Sequence, residues 1–404
     1  MAEPSNGADS SSSCWEWSLE YSPLFVPLYA FIETAAKPVQ SLVYLSISLY
    51  LYGMRSKQQD YTIADYIVGR RKVKQAFFSQ INKIIDWQPI RVIIEKAYVK
   101  GKKHNGRPCH DALVLFKIEL LRTWYGLSDS EVENQVNDRL SFSSFAGISM
   151  DDSSPDSTTI CRFRSALVKG KVYEELLAEI NRQLEARGVI VKSGAIVDAS
   201  VTDSPRRPRG KKNYVIVDDR NEEEQAEEAE KSFAKEAEKP NVDSEARWTK
   251  KMGETRFGYK RHTLTDTRGN ILAEETTPAN ESDTKHLIDT VDKADLPAGT
   301  PVMADKGYYS KENREALRQR KLRSCIMHKA DRGHKLTDLE KLFNRRISRY
   351  RYVIERTFGS IRRWFSGGTA RYVGLAKTHA QHILEAIAHN LYRAPGIIVS
   401  ERLL

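Results

Sequence analysis

The sequence predicts an α/β fold, a mixed sheet flanked by helices and preceded by an all-helical region. Before Gly170 the apolar residues recur at helical spacing and the segments carry capping residues. From Gly194 onward short β-rich runs alternate with helical ones. The order is strand, hairpin, helix, strand, helix, strand, helix.

At 404 residues the chain exceeds the usual single-domain size. Lys plus Arg number 64 against 54 Asp plus Glu, a net +10. Much of the acid lies in one segment, so the remainder is more basic than the total and an extended polyanion is its natural partner. Cys14, Cys109, Cys161 and Cys325 are far apart and form no CxxC pair, which argues against a disulfide framework or a cysteine-rich zinc site. Cys325 and His328 have a ligand-like spacing, but no second pair accompanies them.

Residues 1–53 begin Ser-rich and become apolar, yet the uncharged run from Val39 to Gly53 is only 15 residues. A membrane helix needs ~20. The segment is read as an extension dispensable for activity, with no membrane span, since Met54 opens a basic stretch that resembles a protein start.

Residues 54–190 read as a helical DNA-binding domain of helix-turn-helix type. His110 to Trp124 forms a helix stopped at Gly126. Ser128 with Glu131 makes a capping box for EVENQVNDRL. Asp156 or Ser157 caps a third helix that projects Arg162, Arg164 and Lys169, a basic face suited to DNA.

Residues 191–394 read as the catalytic domain, with a charged insertion about 204–250 and a tail at 395–404. A strand ends at Asp198 in AIVDAS; residues 219–239 are nearly all charged or Ala, a solvated helix or a partly disordered insertion. Two β-rich runs flank the turn TDTRGN and make an antiparallel hairpin. A helix from Asp283 to Ala294, a strand ending at Asp305, a helix from Lys311 to Arg320 and a strand around Leu322 to Met327 follow. This order is that of an RNase H-like core.

Asp198 and Asp305 both close apolar runs, and active sites in such sheets gather at the carboxyl ends of parallel strands. Glu355 lies in YRYVIERTFGSIRRWF, where Ile347, Tyr350, Ile354, Phe358, Ile361 and Phe365 repeat as a core face. Arg351, Glu355 and Arg362 form a neighbouring stripe, an acid between two arginines that can grip phosphate oxygens. Hard divalent cations prefer such oxygen-rich surroundings. Lys306, Lys260, Arg261, Lys250 and Lys251 are further candidate backbone contacts, while His379, His382 and His389 suit packing.

IVDAS, FGYKRHTLTDTRGNILAEETTPAN, MADKGYYS and YRYVIERTFGSIRRWF, in this order, resemble the DDE transposases of bacterial insertion sequences, of the insertion-sequence-five type with an InsH-like N-terminal domain. The resemblance covers roughly Gln58 to Ala394. It implies that Asp198, Asp305 and Glu355 are the catalytic triad and metal ligands. It also implies two Mg²⁺ ions, for which Mn²⁺ can substitute, and DNA as partner, with a dimer formed when two element ends are paired. Within the group's Tyr, Arg, Glu, Lys signature Arg351 and Glu355 match, whereas Ser348 and Arg362 stand at the Tyr and Lys positions. The expected location is cytoplasmic, at the nucleoid. Two alternatives remain open: an RNase H-like nuclease or resolvase without strand transfer, and a non-catalytic repressor derived from a transposase.

Overall fold

The computed structural model describes residues 75–98, 110–149, 152–208, 214–217, 233–236, 241–251, 253–330 and 335–401. These belong to a unit spanning Thr62–Leu404; the extension at residues 1–53 lies outside the described residues.

The helical region comprises α1 (Gln75–Ile84), α2 (Trp87–Ala97), α3 (Ala112–Tyr125), α4 (Asp129–Asp138), α5 (Leu140–Ala146), α6 (Ser157–Lys169) and α7 (Tyr173–Ala186). Local signals fix their ends. Gly126 closes α3 at φ 67°, a left-handed position that costs glycine little. Ser128 and Glu131 form the expected capping box of α4, and the Asp156 carboxylate accepts from Thr159 N–H at the start of α6. Helix α3 is buried on nearly every side, which marks it as a central helix rather than a surface one.

The sheet contains β1 (Ala195–Asp203), β4 (Arg247–Lys251), β5 (Glu254–Asp266), β6 (Ile271–Pro278), β7 (Pro301–Ala304) and β8 (Arg323–Ile326), while β2 (Tyr214–Val217) and β3 (Phe233–Glu236) pair separately. Strands β1, β7 and β8 are parallel neighbours, and β5 lies antiparallel on the other side of β1. The outer edge of β5 is shared, β4 pairing with its first part and β6 with the rest. Leaving aside β2–β4, the strands stand in the RNase H-like order, third, second, first, fourth, fifth. The hairpin turn forms as TDTRGN predicts: the Asp266 carboxylate accepts from Arg268 and Asn270 N–H, and Gly269 sits at φ 86°. Strand β4 and the β2–β3 pair both fall in the segment read as a charged insertion, and residues 233–236 are strand where a solvated helix was one expectation.

Four helices complete the layers: α8 (Leu287–Asp292), α9 (Lys311–Gln319) and the long pair α10 (Asp338–Phe365) and α11 (Leu375–Glu401). Helix α10 lies against β1 and β7, and α11 lies against β5, β6, α7 and α3. One hydrophobic cluster therefore runs from Phe78 in α1 through Val197 in β1 to Ala394 in α11, so helical region and sheet share a core. Helix α11 continues through Pro395, past the start assigned to the tail. On α10 the buried residues are Ile347, Val353, Ile354, Thr357, Phe358, Ile361 and Phe365. Tyr350, assigned to the core by periodicity, is 49% exposed; Val353 and Thr357 take that role because the β5–β6 turn covers them, Thr357 Oγ1 donating to Gly269 O at 3.1 Å. No helix among the described residues is long and apolar enough to cross a membrane.

Candidate active site

Asp198 does not end its strand, as expected from the sequence, but stands inside β1. What ends there is parallel pairing. The last aligned pair between β1 and β7 is Val197 with Ala304, so Asp198 and Asp305 follow it side by side. Beyond this point β1 continues only because β5 pairs its other edge through Asp203.

Alternation along β1 places Ile196, Asp198 and Ser200 on one face. That face meets α10. Ile196 packs with Ile347, Val353, Ile354 and Phe358, and one register further the Arg362 guanidinium donates to Ser200 Oγ at 2.5 Å. Between these contacts Arg351 meets the acids: its Nη2 donates to Asp198 Oδ2 at 2.9 Å and stands 3.8 Å from Glu355 Oε1, while Nη1 is 3.5 Å from Asp305 Oδ2.

The two aspartates are oriented alike. Ala199 N–H donates to Asp198 Oδ1 at 2.8 Å, and Lys306 N–H donates to Asp305 Oδ1 at 2.7 Å. One oxygen of each is thus held by the backbone, and the other faces the shared guanidinium. Burial opposes the charge on Arg351, but Asp198 first, then Asp305 and Glu355, outweigh it and hold the guanidinium above its ordinary value. Glu355 is the most open of the three, its side chain 60% exposed.

Three carboxylates supply the oxygen donors that a hard divalent cation requires. As they stand, no three His, Cys, Asp or Glu side chains among the described residues are grouped closely enough to share an ion. The donor chemistry fits a cation; as the group stands, its centre is filled by Arg351.

Tyr308, four residues after Ala304, escaped the sequence reading although it lies in the DKGYYS block. It is 1% exposed, its hydroxyl has no hydrogen-bond partner, and burial, followed by Asp198, Asp283 and Asp305, pushes its phenol well above the usual value. Asp283 is a fourth acid at this margin. Lys260, expected to face DNA, is committed to it at 2.8 Å and to Glu281 O at 2.7 Å.

The remaining candidates divide by burial. Lys306 and Arg162 are exposed, and Lys251 donates to Ala199 O at 3.1 Å, one residue from Asp198. Arg164 corrects the sequence reading: it is buried, its Nη2 bound to Glu119 at 2.7 Å and to Asp129 at 2.6 Å, so no guanidinium edge is left for DNA. Burial demands such pairing, because an isolated interior charge costs several kcal/mol. Arg261 is likewise interior, bridging Glu274 and Glu385. His382 and His389 are buried as expected, and burial holds His382 well below the usual range and His389 at about 3. His328 pairs with Glu340 at 3.1 Å, which accounts for it without Cys325.

Comparison with known proteins places this geometry in context. Residues 191–391 match the family described as "Transposase DDE domain", and residues 67–166 match "Transposase domain (DUF772)". The transposase for insertion sequence element IS1106 of Neisseria meningitidis serogroup B is 40% identical over 235 residues, covering 58% of this chain and 76% of that protein. A solved structure, the crystal structure of the Mos1 Strand Transfer Complex, aligns with 74% of this chain and 81% of its own at 11% identity and a TM-score of 0.18, too low to define a shared architecture.

Proposed function

Because the chain belongs to the DDE transposases of insertion sequences, enzymes that cut and join DNA, we propose that Asp198, Asp305 and Glu355 are its catalytic, metal-holding acids. The observation that carries this reading is the convergence of all three on Arg351 from two adjacent strands and a helix. Unlike the interior pairings of Arg164 and Arg261, this group stands partly open to solvent, with the Glu355 side chain 60% exposed.

In this reading the carboxylates hold divalent ions, Mg²⁺ or in its place Mn²⁺. When bound, a pair of such ions stabilises the attacking and leaving oxygens of a phosphodiester. The chain's own residues do the rest. Asp198 and Asp305 are already aimed by the Ala199 and Lys306 amides, so little reorganisation precedes binding. Arg351, released from the acids, is placed to hold a phosphate oxygen next to them, and Lys306, Lys251 and Arg362 flank the same opening. No Ser, Cys or His nucleophile is needed. Water is the nucleophile for strand cleavage at the element end, and the freed 3′ hydroxyl is the nucleophile for joining to target DNA. Binding of the terminal inverted repeats falls to the helical region, where Arg162 on α6 stays exposed, and pairing of two ends calls for a dimer.

Asp198→Ala, Asp305→Ala and Glu355→Ala are each expected to abolish strand cleavage while end binding, measured by gel shift without divalent ions, persists. Cleavage surviving any one of them rejects that residue's role. Transfer of a 3′ end into target DNA separates this function from a hydrolytic nuclease, which yields none.

A further inference from the structure

The solvent face of α10 carries a feature the catalytic reading does not use. Between Lys341 and Phe365 this helix bears seven arginines, and Glu355 is its one acid. At about 100° per residue, Arg345, Arg349, Arg356 and Arg363 fall on one line, with Tyr352 among them, within an arc of about 60°. The line lies opposite the buried face and about 80–120° round the helix from Glu355.

All four arginines are exposed, and none makes a hydrogen bond or ion pair among the described residues. Tyr352 is 60% exposed, with the Arg356 guanidinium 5.8 Å from its ring centre. Some other exposed or half-buried guanidiniums are engaged, Arg182 with Glu179, Arg256 with Asp203 and Arg320 with Asp292. Aligned like charges repel one another, a cost that an anion along the line removes.

We infer that Arg345, Arg349, Arg356 and Arg363 form a ridge that holds the phosphate backbone of duplex DNA, whatever its sequence, beside the three acids. The ridge runs about 27 Å, and a duplex presents one phosphate charge per ~1.7 Å of its axis, so a phosphate lies within reach of every arginine on the line. Guanidinium is the suitable group because it holds phosphate oxygens in pairs. The acids lie on the next face of the same rigid helix, so a backbone gripped by the ridge is held at a fixed offset from Glu355. The inference rests on the transposase reading for the identity of the polyanion.

The test uses the full chain without divalent ions, binding a random duplex and an element-end duplex over a range of salt concentrations. For Arg349→Gln/Arg356→Gln the slope of log affinity against log salt is expected to flatten by about 1.8, so that the loss of affinity is about twelvefold greater at 50 mM than at 200 mM salt, on both duplexes alike. Arg318→Gln, an exposed arginine on α9, is expected to leave the slope unchanged, and melting temperatures confirm folding. An unchanged slope in the double variant overturns the ridge, as does an equal loss in Arg318→Gln, which reports only net charge. Loss confined to one duplex overturns the sequence-independent grip. A ridge that fails while the three alanine substitutions still abolish cleavage leaves the catalytic reading standing.

Discussion

Tyr308→Phe should make the protein more stable. The Tyr308 ring is 1% exposed, but its hydroxyl has no partner, and the charges that act on it are Asp198, Asp283 and Asp305, opposed by Arg351. A buried hydroxyl left unpaired costs about 1–3 kcal/mol, which Phe removes while keeping the ring. The cooperative unit spans Thr62–Leu404, about 340 residues, so its unfolding entropy is about 0.7 kcal/mol per K and a gain of 1 kcal/mol raises the melting temperature by about 1.5 °C. Scanning calorimetry of the full chain measures this. A melting temperature lowered by a degree or more would refute the reasoning, because the hydroxyl must then have a partner in the folded protein. Strand cleavage by the same variant gives the functional half: a rise in stability with a fall in cleavage assigns the hydroxyl to the acids, as a positioning group.

Arg351→Gln removes the cation that divalent ions displace in the proposed mechanism. The charge-assisted hydrogen bond to Asp198 is worth about 1.5–3 kcal/mol, so Mn²⁺ binding measured by calorimetry should tighten by about tenfold; weaker binding would mean that Arg351 chiefly orients the acids. Arg261→Met strips the counter-charge from two interior carboxylates, Glu274 and Glu385, and should destabilise the fold by about 3–5 kcal/mol in urea unfolding. Acid should weaken the protein through its buried histidines. Burial holds His262 and His389 at about 3, against 6.5 when unfolded, so both are neutral in the folded state across this window and the unfolded chain binds more protons. Their contribution is complete above pH 6.5 and declines as pH falls towards 3, by about 1.4 kcal/mol per pH unit for each, which denaturant midpoints across that range will show.

Much of the catalytic region was legible because local chemistry specifies it. Asp266 and Gly269 make the hairpin turn, Ser128 and Glu131 the α4 capping box, and the apolar period of α10 places Ile354, Phe358 and Ile361 inward. The charge on Arg164 was equally legible, but its fate was not. The helical period puts the residue on the stripe of Ile160, Phe163 and Leu167, and only the packing of α3 and α4 around it brings Glu119 and Asp129 to its guanidinium. Strand β4 escaped notice for a related reason: RWTKK is a charged, exposed segment that becomes a strand through its partner β5.

By itself, then, the sequence pointed to most of the helices, the hairpin, their order and the three acids, since turns, caps and hydrophobic period act over a few residues. Tertiary structure decided where the acids meet. Asp198 stands beside Asp305 because parallel pairing with β7 stops at Val197, and Glu355 approaches them because Ile196 seats α10 on that strand with Arg351 between. Those contacts join residues more than 100 positions apart, a separation that no local period encodes.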